Sequence, residues 1–200
     1  VIFQLSRASP LNFSNWKVLE RKMKILEVRR HSDKSGEHLS DDGLKKLGCV
    51  IANPGDITDI FCGSAIDRTA ESALAVVVYG GVKPQRLHKA NPGLGNKDQL
   101  QKILDVGFVA ARGEKGDNIA AARECLGDDY QQFCEELLAT IQSLMDEMPE
   151  GARGLVFGHS PFIEMAVDAC KGEKAEKELG SCEGFRFIED GGSLKCSKIK

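Results

Sequence analysis

Three short apolar runs constrain this chain most: "KILEV" (24–28), "ITDIFC" (57–62) and "GLVF" (154–157), each followed by a polar turn and then a helical pattern. Strands this short and this uniformly apolar belong inside a sheet covered on both faces, and helices between them impose parallel crossovers. The expected class is therefore α/β: a three-layer, mostly parallel central sheet with helices on both faces, closed by a C-terminal hairpin.

The intervening segments fill in that frame. Ser40 caps a helix whose first turn holds Asp41 and Asp42 and whose apolar stripe is Leu44, Leu47 and Val50 or Ile51. "NPGD" (53–56) is a stop, and "AIDRTAESALAVVVYGG" is a well-buried helix ended by Gly80-Gly81. The stretch 82–99 is rich in Pro and Gly and reads as a strand remnant plus a long loop on the working face. Helices follow at 97–106 and at about 117–146, the second with a break near Gly127. Ser160 caps "PFIEMAVDACKG", with Pro161 at the first helical position. "GFRFIED" and "SLKCSKI" flank Gly191-Gly192 as a hairpin. Met23 directly precedes the first strong strand, so 1–22 reads as an N-terminal extension, upstream of a single domain at 23–200. It lacks the basic start and apolar core of a secretory signal.

Composition excludes several functions. Formal net charge is -3 with no long basic block, which gives no electrostatic footprint for nucleic acid or a membrane surface. No stretch approaches the roughly 18 apolar residues of a membrane span. The seven cysteines are irregularly spaced with no CxxC, so neither a zinc ribbon nor a disulfide framework is signalled, and reduced thiols point to the cytoplasm. The four histidines show no HxH or HxxxH spacing, so no metal site is expected. Oligomeric state is not legible.

In parallel sheets ligands bind beyond the carboxyl ends of the strands. That edge receives Arg30 and His31 after the first strand, Ser64 to Arg68 after the second, and His159 and Ser160 after the third. Two guanidinium forks and a second imidazole suit a tetrahedral dianion such as a phosphoryl group, and the helix after Ser160 adds backbone N–H donors. Surrounding cations disfavour protonation of His31 and leave it free to attack phosphorus. The arginines then stabilise charge on the equatorial oxygens, and no cofactor or metal is needed. Arg29, one residue out of phase with Arg30, points to the other side.

"VRRHSDKSGEHLSDDGLKKLG" resembles the opening of the histidine phosphatase superfamily, which includes the phosphoglycerate mutases. "FCGSAIDRTAESA" is similar to its second block and "GLVFGHSPFIEMAV" to its third. The order holds from Lys24 to the C-terminal hairpin. The resemblance implies a phosphoglycerate mutase-like fold, His31 as the phosphorylated nucleophile, Arg30 and Arg68 as phosphate clamps, and His159 as a second pocket histidine. Ser32 replaces the family's usual glycine, a change expected to narrow the pocket slightly. Ser64 is expected to shape the turn before Arg68.

The family's usual glutamate acid is missing from "RLHKANPGLGN". His88 and Glu114 are the candidate proton donors, with Asp117 beside Glu114. Glu71 is read as a solvated or capping residue, and the charge run 171–180 as a solvated helix end or linker. The expected activity is metal-independent hydrolysis of a phosphomonoester, or of protein phosphohistidine, through a phosphohistidine on His31. Phosphoglycerate mutase-type transfer and a non-catalytic phosphate-binding module are the alternatives. The partner is a phosphorylated small molecule or a phosphoprotein. Pocket width depends on the loops at Lys83–Lys97 and Arg112–Asn118.

Overall fold

A computed structural model describes residues 23–51, 53–62, 67–88, 94–172 and 174–199; the extension 1–22 and Ser64 lie outside them. The chain opens with β1 (Lys24–Arg30), a small hairpin of β2 (Lys34–Ser35) and β3 (His38–Leu39), and α1 (Asp41–Leu47). It continues through β4 (Asp59–Phe61), α2 (Asp67–Val78) and β5 (Arg86–His88). Four helices follow: α3 (Lys97–Asp105), α4 (Phe108–Lys115), α5 (Asn118–Leu126) and α6 (Tyr130–Asp146). β6 (Arg153–Gly158), α7 (Phe162–Ala169), β7 (Lys171–Gly172), β8 (Gly184–Asp190) and β9 (Ser193–Lys198) complete it.

Among the described residues seven strands form one sheet, in the order β5-β4-β6-β1-β8-β9-β7. β1 runs parallel to β6, and β4 runs parallel to both β6 and β5. The hairpin β8–β9 adds the antiparallel part, with β8 against β1. The sheet is mostly parallel, as the alternation of elements requires.

Both faces are covered. Leu26, Val28 and Val156 look toward the larger core, where Ile103, Phe108, Ile119, Leu137 and Phe162 descend from α3 to α7. Leu155 and Phe157, the alternate residues of β6, look the other way onto Leu47, Ala73 and Val76 of α1 and α2. α1 lies so close to the chain after β1 that a Cβ on Gly43 would sit 2.3 Å from the Asp33 carbonyl oxygen.

Several expectations change in detail. A single turn of 3-10 helix at Gly127–Asp129 divides α5 from α6, which places the break where the glycine forecast it. The segment after α3 turns at Gly107, in the left-handed region at φ 86°, and forms α4 instead of staying loop. Ser160 does not cap α7: Pro161 occupies the N-cap position and no side chain caps the helix. Lys171 and Gly172 join the sheet edge as β7, so the charge run after α7 is neither helix nor free linker at its start.

Phe157 is fully buried between β6 and the α1–α2 layer. Phe157→Ala is expected to lower unfolding stability by about 3–5 kcal/mol through lost transfer energy and the cavity left behind. Urea titration with an unchanged m value is the check.

Candidate active site

The register of two strands decides where the chemistry sits. Arg30 pairs with Gly158, and the His31 amide donates to the Gly158 carbonyl at 3.1 Å. The next residue on each strand is a histidine. The His31 and His159 rings lie side by side, centroids 5.0 Å apart and tilted by 60°. Arg68, from the first turn of α2, donates from Nε to His31 Nε2 at 3.1 Å. Arg30, His31, Arg68, His159 and Ser160 line one cleft of about 230 Å³. Sequence reasoning brought these five together, and the geometry does the same.

The tautomer of His31 follows from its neighbour. Nδ1 lies 2.7 Å from the Ser32 carbonyl oxygen, which can only accept, so Nδ1 carries the proton. Nε2 is left with its lone pair, aimed at Arg68 and the cleft. Both rings are held neutral. Burial is the main cause for His31, and Arg68, Arg30 and Lys34 add to it against the opposing bond to Ser32; its pKa falls to about 4. His159 falls to about 3, again chiefly by burial and then by His31 and the same three cations. Burial and Arg30 also lower Arg68, against the pull of Glu37, yet a guanidinium stays charged.

Arg30 is held from behind. Its Nη1 donates to Glu178 Oε1 at 2.8 Å and to the Leu179 carbonyl. Two N–H groups are spent there, so three of the five donors of the fork remain for a ligand. Arg29 turns away as expected: it grips buried Glu27 with Nε and Nη2, at 3.2 and 2.9 Å, and the Cys182 carbonyl with Nη1. Glu27 also accepts from Arg153 and Arg186, which makes it the hub of a structural ion cluster.

Other residues fall elsewhere than foreseen. Ser32 is fully buried with its hydroxyl donating to the Gly43 carbonyl at 2.9 Å, so it faces α1 and does not narrow the cleft. His88 is not a cleft residue. It stacks on Phe61 at 4.1 Å and sits between Asp59 and Glu147, with Nε2 2.8 Å from Asp59 Oδ1. Glu114 is exposed on α4, and the cleft takes Arg112 from that helix instead. Asp117 is the N-cap of α5, accepting from Ala120 at 2.8 Å. Glu71 holds the β2–β3 hairpin, accepting from the Leu39 amide at 2.7 Å and pairing with His38.

Lys34, Gly95, Leu100, Phe108, Arg112, Asn118 and Phe162 also line the cleft and were missed as site residues. Arg112 and Asn118 bound a segment flagged for pocket width, which was the only sequence signal they gave. Gly95 is in the left-handed region at φ 87°, and a Cβ there would meet the His159 ring at 2.8 Å. Among the described residues the lining contains no Asp or Glu. The same residues hold no cluster of three or more His, Cys, Asp or Glu fit for a metal ion.

The chain thus has an α/β sheet with an Arg-His pair and a second histidine at its carboxyl edge. No protein-family model and no curated protein matches the chain. Among solved structures it is similar to a phosphoglycerate mutase from Bacillus anthracis str. Sterne, at 17% identity and TM-score 0.61, over 91% of this chain and 95% of that one. A mutant phosphoserine phosphatase from Entamoeba histolytica, in complex with phosphoserine, is similar at 15% identity and TM-score 0.46, over 88% of this chain and 95% of that one. The first likeness shows that this chain has a phosphoglycerate mutase-like fold.

Because both imidazoles are lowered, they bind fewer protons folded than unfolded. Their contribution to stability is complete above the unfolded value of 6.5 and is lost as pH falls toward about 4 and about 3. Buried Asp59, lowered to about 2, acts in a more acid window. Denaturation midpoints measured from pH 7 to pH 4 should therefore decline in the native protein and decline less steeply in the double variant His31→Ala, His159→Ala.

Proposed function

We propose that the chain is a member of the histidine phosphatase superfamily, hydrolysing a phosphomonoester or protein phosphohistidine without a metal. The observation that carries this reading is a neutral His31, Nδ1 tied to a carbonyl and Nε2 in a cleft that Arg30, Arg68 and Lys34 make anion-seeking. In this reading the phosphoryl group enters between the guanidiniums, and its oxygens take over the Arg68 N–H that now meets Nε2. Nε2 attacks phosphorus, the leaving group departs on the opposite side, and water discharges the phosphohistidine. His159 donates to a phosphoryl oxygen, and the arginines follow the charge as it spreads.

Hydrolysis is favoured over mutase transfer by the leaving-group side. Neither His88 nor Glu114 reaches the cleft, and the described lining carries no carboxylate acid. An imidazole leaves far more readily than an alkoxide does without a proton donor. The fold likeness supports phosphoryl transfer as the class of reaction. The free thiols of the described residues suit the reducing setting we propose for the protein, and none of their helices is long and apolar enough to cross a membrane.

Steady release of p-nitrophenol from p-nitrophenyl phosphate in EDTA is the expected behaviour. His31→Ala should lower kcat by about a thousandfold or more, and Arg68→Ala by roughly 10²–10³. Rapid acid-free quenching should trap a labelled phosphoenzyme that the His31 variant does not form. Turnover unchanged in His31→Ala would sink the nucleophile assignment, and no turnover or phosphoenzyme in the native protein would favour a binding module. A higher kcat/KM for a phosphohistidine peptide than for sugar phosphates is expected, and a bisphosphorylated primer should produce no isomerised product.

A further inference from the structure

Glu164, in the first turn of α7, belongs to no step above, yet it is fully buried directly behind the site. One of its oxygens does two things. Oε1 accepts from the Ser160 hydroxyl at 2.7 Å and from the Leu179 amide at 2.7 Å. The other oxygen, Oε2, is buried with no hydrogen-bond partner among the described residues. A core that needed only packing would place an apolar side chain here, because an incompletely satisfied buried carboxyl is costly. Burial raises its pKa, against the lowering effects of Leu179, Ser160, its own amide and Arg30.

What Oε1 holds explains the placement. Ser160 follows His159 and lines the cleft, while Leu179 turns its carbonyl to Arg30. Its neighbour Glu178 supplies the carboxylate on the same Arg30 nitrogen, and the Glu178 amide donates to Asp117 at 3.3 Å. The segment 178–179 thus has its amide groups fixed by α7 and α5 and its acceptors turned to β1.

We infer that Glu164 is a positioning residue: its carboxyl braces Ser160 and the Leu179 amide, and through Leu179 and Glu178 it sets the direction in which Arg30 presents its remaining N–H groups to a phosphoryl oxygen. The inference rests on the phosphate-site reading above and adds to it a residue that touches no substrate.

The test is a double-mutant cycle on inorganic phosphate binding, read by calorimetry, with thermal unfolding followed in parallel. Glu164→Gln keeps an acceptor oxygen for both donors and should bind phosphate within about twofold of the native protein, whereas Glu164→Met fills the space without an acceptor and should weaken binding by about tenfold. In the Arg30→Ala background, Glu164→Met should cost less than about twofold more, because the residue acts through Arg30. Additive losses in the double variant, native-like binding by Glu164→Met, or a tenfold loss in Glu164→Gln would each overturn the inference while leaving the phosphate site standing. Should Glu164→Met not fold, the Gln variant and its combination with Arg30→Ala still decide, since Gln must then track the native protein in both backgrounds. A native protein that binds no phosphate would overturn the site reading, and this inference with it.

Discussion

The parallel pairing of β1 with β6 is the constraint on which the site depends. Each strand ends one residue before a histidine, and Arg30 opposite Gly158 brings the two rings to 5.0 Å. The alignment has little freedom. A shift of one residue would turn Leu26 and Val28 out of the larger core and Glu27 into it, since successive side chains in a strand face opposite sides. Core burial and ring placement are therefore set together. The place of β6 between β1 and β4 also brings the first turn of α2, and with it Arg68, to the same edge.

Electrostatics then follows from geometry. Arg29 and Arg30 are adjacent in sequence and opposite in role because the strand alternates. One is absorbed by Glu27 and a carbonyl, and the other is left with free donors over the cleft. A carboxylate in the cleft would neutralise the arginines and draw a proton onto the imidazoles. The carboxylates stand behind the cations instead, Glu178 on Arg30 and Glu37 near enough to affect Arg68. The field inside stays positive, and both rings stay neutral in a place where burial already opposes charge.

Much of this was legible because it is local. Apolar runs mark buried strands, glycines mark the break at Gly127 and the final hairpin, Arg30, His31 and His159 fall at strand ends by counting, and Arg68 falls in the segment that follows the second strand. What could not be read depends on contacts between distant segments. Ser160 and Pro161 carry the sequence of a capped helix start, but the hydroxyl turns to Glu164 four residues on and the proline takes the cap position. The run 171–180 looks solvated by composition, yet Leu179 is buried and Glu178 meets Arg30 across the fold. His88 has the chemistry of a proton donor, but Phe61 and Asp59 on the neighbouring strand offer it a stacking surface and a buried carboxylate partner. Lys34 and Arg112 reach the cleft only because a hairpin and α4 fold over it, and no periodicity announces either.

The lining that α3, α4, α5 and α7 contribute bears on which bond the proposed site would break. Leu100, Phe108 and Phe162 make it partly apolar, and Arg112 and Asn118 give it one cation and one amide. None of these groups is an acid near neutral pH, because a guanidinium and a side-chain amide both hold their N–H protons too tightly to release them. A departing alkoxide would meet a wall that can stabilise its charge but not quench it. A departing imidazole or nitrophenolate needs no such help, since neither requires a proton in the transition state to the same degree. In the proposed reading, the cations and apolar cover that favour attack by His31, with no carboxylate in the described lining, thus also leave that lining a poor source of protons.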